Sequence, residues 1–198
     1  MFYYFYDWTY ILVLIGVLIC LAASARVRQV FAKYSRVQSR MRMTGKEAPE
    51  EILRRNGIYD VQVIHIPGNL TDHYNPGNKT LGLSDTVYQS SSVAAVGVAA
   101  HECGHAVQHA MGYAPLSIRG ALVPVANLGS AVAWPLILIG LLINGETSLL
   151  LINLGILLFS AAVLFQLVTL PVEFNASRRA VKALGASGML YPDEVASV

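Results

Sequence analysis

Three stretches of this chain carry no charged side chain: Trp8 to Ala25, Gly120 to Ile143 and Ser148 to Val172. Each reaches the roughly 17–25 residues that a helix needs to cross bilayer hydrocarbon. A helix satisfies its own backbone hydrogen bonds, so in hydrocarbon these runs are read as three membrane-spanning helices. Composition agrees, with 55% hydrophobic and 13% charged residues against roughly 45–50% and about 25% in a typical soluble domain. That balance excludes an ordinary cytosolic globule, and a mean hydropathy of +0.51 excludes a disordered chain. Seven aromatics among the first ten residues (Phe2, Tyr3, Tyr4, Phe5, Tyr6, Trp8 and Tyr10) suit an interfacial belt, where a cleaved signal peptide would be basic.

Lysine and arginine set the expected orientation. None of the 14 precedes the first span or lies in the Asn144 to Thr147 turn; eleven fall between the first and second spans and three after the third. The positive-inside rule then places 26–119 and 173–198 in the cytoplasm of a multi-pass cell-membrane protein. The expected layout is an aromatic N-terminus with a first span (1–25), a cytoplasmic domain (26–119), a membrane hairpin (120–172) and a cytoplasmic tail (173–198). In that reducing compartment Cys20 and Cys103, one in an apolar run and one in a His-rich segment, are not expected to form a disulfide.

Within 26–119, Val27, Val30, Phe31, Tyr34, Val37 and Met41 recur at helical spacing among Arg26, Arg28, Lys33, Arg36, Arg40 and Arg42. This predicts a basic amphipathic helix, suited to anionic lipid or simply to solvent. Thr44 and Glu47 have capping-box spacing and open a helix ending at Asn56-Gly57. Strands are expected at Val61 to Ile66, Leu70 to Tyr74 and Lys79 to Leu83, the last two joined by an Asn75-Pro-Gly-Asn78 turn. A helix from about Ser92 to Gly112 follows. The fold class is therefore α-rich α+β: multi-pass membrane helices, a small cytoplasmic sheet and one helix that carries the chemistry. There is no nucleic-acid motif.

That chemistry is His101-Glu102-x-x-His105, an HExxH. Four residues apart on a helix, the two imidazoles share a face and reach one zinc ion. Glu102, one residue round, is placed to take a proton from a metal-activated water. The uncharged flanks Val98 to Ala100 and Ala106 to Val107 suit a dry site. His109 lies about 12 Å along the axis from His101, too far to share its ion. Gln108 and Met111 stand where a metzincin has Gly and His, which excludes that subclass. Cys103, about 200° round from His101, points away and is read as a packing residue.

A third ligand must come from elsewhere, and His65, His73 and Glu173 are the candidates. Glu173 is the first charge after the third span, where a carboxylate needs a partner: a metal ion, or Arg178 or Arg179. His73, Tyr113 and Arg178 are candidates for stabilising an oxyanion. The Lys79 to Leu83 edge is the expected strand for substrate backbone to join.

Four stretches, GNLTDHYNPGNKTL (68–81), VAAVGVAAHECGHAVQHA (93–110), IRGALVPVANL (118–128) and LPVEFNASRRA (170–180), resemble the YugP-type neutral zinc metallopeptidases of bacterial membranes. The likeness covers nearly the whole chain. More distantly, the order sheet, HExxH, two spans, then Glu is similar to the HtpX and CAAX-prenyl endopeptidases, gluzincins in which the Glu of an E-x-x-A-D motif completes the zinc site. The resemblance implies His101, His105 and Glu173 as zinc ligands and Glu102 as base. Ser177 stands where that motif has Asp. Family members are expected to continue with a further hydrophobic segment after the tail, where the present sequence stops at Val198.

The implied activity is a membrane-embedded zinc endopeptidase working at the cytoplasmic face on protein or peptide substrates, membrane proteins among them. Two other readings compete. An intramembrane protease would bury HExxH in the bilayer, but only Val93 to Ala100 precedes it and Gln108 and His109 follow. A non-catalytic scaffold with structural zinc would need four protein ligands where three are visible, and Glu102 would have no task.

Overall fold

The computed structural model of the chain describes residues 9–198, and the aromatic run from Phe2 to Trp8 lies outside them. The first uncharged stretch forms α1 (Thr9–Tyr34), which continues unbroken into the basic segment behind it. The helical spacing that starts at Val27 therefore extends α1 and founds no separate helix. It also ends at Tyr34, short of Met41. Backbone pairing explains the stop: Val93 N–H donates to Val37 O at 2.9 Å and Ser39 N–H to Ser91 O at 2.8 Å, tying this strip to the entry of a later helix.

The capping box forms as its residues predict. Glu47 accepts from Thr44 N–H at 2.8 Å, and Thr44 Oγ1 accepts from Glu47 N–H at 3.2 Å, opening α2 (Glu47–Arg55). Gly57, at φ +70°, ends it. Three short strands follow, β1 (Gln62–His65), β2 (His73–Asn75) and β3 (Thr80–Leu83), in the order β1-β3-β2. β1 runs parallel to β3 and β2 antiparallel to it. This overturns the expectation that Lys79 to Leu83 is an edge. β3 is the central strand, buried from Leu81 through Leu83, and its hydrogen bonds are taken on both sides; the free edges belong to β1 and β2.

Ser92 caps α3 (Val93–Ala110), its hydroxyl accepting from Ala95 N–H at 3.2 Å. The helix is rich in alanine and glycine, so its neighbours approach closely on nearly every side. Leu81, Leu83, Val87, Val96, Ala99 and Leu184 form a core with Ile52 and Leu53 of α2 around it. α4 (Ala114–Leu142) and α5 (Glu146–Ala186) then make an antiparallel hairpin. Small residues set its spacing: a Cβ on Gly155 would lie 2.9 Å from Ala133 O. α1, α4 and α5 are each long and apolar enough to cross a membrane. α5, with 41 residues, is about 60 Å long at 1.5 Å per residue, twice the roughly 30 Å of bilayer hydrocarbon. Its second half projects past that thickness and packs along α3, and its far end returns through α6 (Pro192–Val195). Where Glu173 was expected to open a new segment, the helix passes through it without a break.

Candidate metal centre

α3 presents His101 and His105 on one face, their rings 5.0 Å apart and at 88° to one another. α5 brings Glu173 against them. Its Oε2 lies 3.2 Å from His101 Nε2 and 3.3 Å from His105 Nε2. The approach depends on Gly104, since a Cβ there would stand 2.6 Å from the Ala176 carbonyl oxygen. The two backbones touch at that point, one residue from His105 and three from Glu173.

The spacing can be tested against zinc. Ligand atoms at 2.0–2.1 Å around a tetrahedral ion are separated by about 3.3–3.4 Å along each edge of the tetrahedron. Both nitrogen-to-oxygen separations match that edge, and the three ligand atoms lie within 4.8 Å of one another. Two imidazoles and one carboxylate, with a fourth position left to solvent, form a donor set used by catalytic zinc. Among the described residues this is the one group of three or more His, Cys, Asp or Glu so arranged.

The far sides of the candidate ligands are held as well. Gln108 is fully buried, and its Nε2 donates to Val172 O and to Asn175 Oδ1, each at 2.9 Å. Its Oε1 is therefore an acceptor, and His105 Nδ1, 3.0 Å away, must be the donor. In the neutral ring this leaves the His105 Nε2 lone pair facing the site. Ser177 Oγ lies 3.0 Å from His101 Nδ1, so the serine standing where the resembled motif has an acid still contacts a candidate ligand ring. Arg179 Nε donates to Asn175 Oδ1 at 2.7 Å and closes the network behind Gln108.

The partner of Glu173 is neither Arg178 nor Arg179. Arg119 Nη1 reaches Glu173 Oε1 at 3.0 Å, holding the oxygen that does not face the histidines. The sequence reading missed this residue. Its signal was present: Arg119 is the charge immediately before an uncharged run, where an arginine without a partner is costly.

Glu102 points toward the sheet, and its Oε2 accepts from Tyr74 N–H of the β2 edge at 3.1 Å. Burial raises its pKa above the ordinary carboxylate value, against the opposing pull of His105 and His101. The His101 imidazole is also raised, chiefly by its hydrogen bond to Glu173. The other histidines are engaged elsewhere. His65 Nε2 pairs with Asp85 at 2.6 Å, His73 Nδ1 lies 2.9 Å from Thr71 O, and His109 Nδ1 lies 2.8 Å from the Tyr74 hydroxyl. Of the residues considered for an oxyanion, Tyr113 has its ring against Arg179 and Arg178 lines a cleft with Ile52 and Arg55. Cys103 is fully buried as a packing residue, its thiol pushed up by that burial.

A sequence model of the family described as "Putative neutral zinc metallopeptidase" matches residues 9–198. The chain is 48% identical over 172 residues to "Putative membrane protease YugP" of Bacillus subtilis (strain 168), covering 87% of this chain and 75% of that protein. No solved structure matches.

Proposed function

The chain belongs to the neutral zinc metallopeptidase family, and from that premise we propose that it is a membrane-embedded zinc endopeptidase that hydrolyses peptide bonds at the cytoplasmic face. His101, His105 and Glu173 would hold the ion and Glu102 is the general base. The observation that carries this reading is the convergence of three ligand atoms from α3 and α5 at the edge length of a zinc tetrahedron.

Zinc at this position would supply a Lewis acid that polarises the scissile carbonyl and acidifies the attacking water. The chain's own groups do the rest. Gln108 and Ser177 fix the His105 and His101 rings so that both Nε2 atoms face the site. Arg119 keeps one Glu173 oxygen occupied, leaving the other for the ligand position. Glu102 takes a proton as the water oxygen bonds to the carbonyl carbon, then returns it to the amine nitrogen as the C–N bond breaks. A carboxyl whose pKa burial has raised suits both halves of that exchange. Tyr74 N–H places the Glu102 carboxylate beside β2, and the free edge of that strand offers backbone groups to an extended substrate. The cytoplasmic placement is supported by the segregation of all 14 lysines and arginines to one side of the apolar runs.

The test is metal analysis and peptide cleavage by the purified protein beside Glu102→Gln. Zinc should stay bound in the variant, because every ligand is intact, while turnover falls by at least about 10²-fold. Equal cleavage by the two proteins would remove the peptidase reading, and loss of zinc from the variant would make Glu102 a ligand.

A further inference from the structure

A groove of about 620 Å³ runs between α1, α3 and α5. Its lining includes His101 with Ser177 beside it, and Arg26, the first charge after the uncharged run of α1. The rest of the wall is mainly aliphatic and aromatic, with Val27 and Phe31 from α1, Ala94 and Val98 from α3, and Val181 from α5. Arg26 is the one Lys, Arg, Asp or Glu lining it among the described residues.

The site itself identifies what such a groove would receive. A proposed zinc ligand, His101, forms part of its wall, so a segment filling it lies beside the reacting peptide bond. Leu70, three residues before β2, also lines the groove, which sets the groove close to the strand whose edge would hold a substrate. Arg26 and Val27 in its wall lie where α1 reaches the end of its membrane-length apolar run. α1 closes that side only loosely: every residue from Ile11 to Gln29 is exposed, and contact with the body begins at its last two turns around Val30, Phe31 and Tyr34. A water-filled groove with these walls is unfavourable, and an apolar segment arriving from the bilayer removes that surface from water.

We propose that this groove binds an apolar stretch of the substrate, so that the enzyme cuts membrane-anchored proteins beside the end of their own membrane span. The inference rests on the peptidase reading and narrows its substrate class. Polar flanks lose the groove, while apolar flanks gain it on top of backbone pairing with β2.

The experiment uses the full chain in detergent micelles and two sets of quenched-fluorescent peptides. Both share one reporter sequence, flanked on either side by a leucine-valine run in one set and a serine-glycine run in the other. The wild-type protein should favour an apolar flank in kcat/KM by at least about tenfold, the scale of burying one further aliphatic side chain. Ala94→Trp fills the groove, and Val27→Asp places a charge in its wall at a position exposed enough to fold normally. Both should bring the ratio toward one. Binding of the same peptides to Glu102→Gln separates the two readings. An apolar preference in binding with no cleavage by wild type sinks the peptidase and keeps the groove. Cleavage without flank preference, or a preference that survives both variants, overturns the groove. Co-purified phospholipid displaced by Ala94→Trp but not by the apolar peptide would make it a lipid site instead, and likewise refute the proposal.

Discussion

Gly104→Ala adds one methyl group, yet it strikes the point on which the geometry of the proposed metal site depends. The new Cβ would lie 2.6 Å from the Ala176 carbonyl oxygen, whereas ordinary contact starts near 3.4 Å, so about 0.8 Å must be found (3.4 minus 2.6). The obstacle is backbone inside α5 and cannot swing aside as a side chain could. α3 and α5 must therefore part or slide where Gly104 neighbours His105 and Ala176 sits one turn beyond Glu173. A zinc site tolerates about 0.2 Å in its ligand distances, so the displacement is several times what coordination allows. The expected result is a fall in zinc affinity of at least about 10–100-fold, the range seen when the groups that orient metal ligands are lost.

Folding should suffer less than metal binding. Overpacking costs about 1–3 kcal/mol, and replacing glycine by alanine within a helix returns about 1 kcal/mol. The assay is competitive zinc titration against a chelator, with thermal melting in the presence and absence of zinc. Gly120→Ala is the control, since a Cβ there meets nothing within 4 Å. If Gly104→Ala binds zinc as tightly as that control, the α3–α5 contact does not set the geometry and the argument fails.

Two further outcomes are expected. Glu173→Ala should abolish the metal-dependent rise in melting temperature, because a ligand bound only by the native state stabilises by RT ln(1 + [L]/Kd), while His73→Ala, whose ring is turned to Thr71, should retain it; the reverse pattern would move the third ligand into the sheet. A cysteine introduced at Asn144, in the turn between α4 and α5, should react with an impermeant thiol reagent on intact cells, and one at Asn78 should not. Reversed labelling would refute the proposed orientation.

Features written in neighbouring residues were readable from the sequence. The pairing of His101 with His105 follows from helical spacing alone, and the Thr44–Glu47 capping box and the three apolar runs are equally local. The sheet order was not local. The turn at Asn75 to Asn78 announces β2 and β3 as neighbours, but nothing nearby announces that β1, 18 residues before β3 in matched register (80 minus 62), will take its other side. That parallel pairing made Lys79 to Leu83 the buried centre of the sheet and left β2 as the edge beside Glu102.

The sequence by itself determined where most helices begin, which segments are apolar enough for a bilayer, and which face of α3 carries two imidazoles, because each depends on repeat spacings of a few residues. Tertiary structure decided what meets that face. Glu173 lies 68 residues beyond His105 (173 minus 105), and it arrives because the α4–α5 hairpin returns the chain and Gly104 admits α5 to contact. Arg119 and Gln108 acquire their roles only through that return, each gaining a partner on α5 more than 50 residues away. Side-chain periodicity is set by one helix's own geometry, whereas the pairing of distant polar groups is set by how closely two backbones can pack.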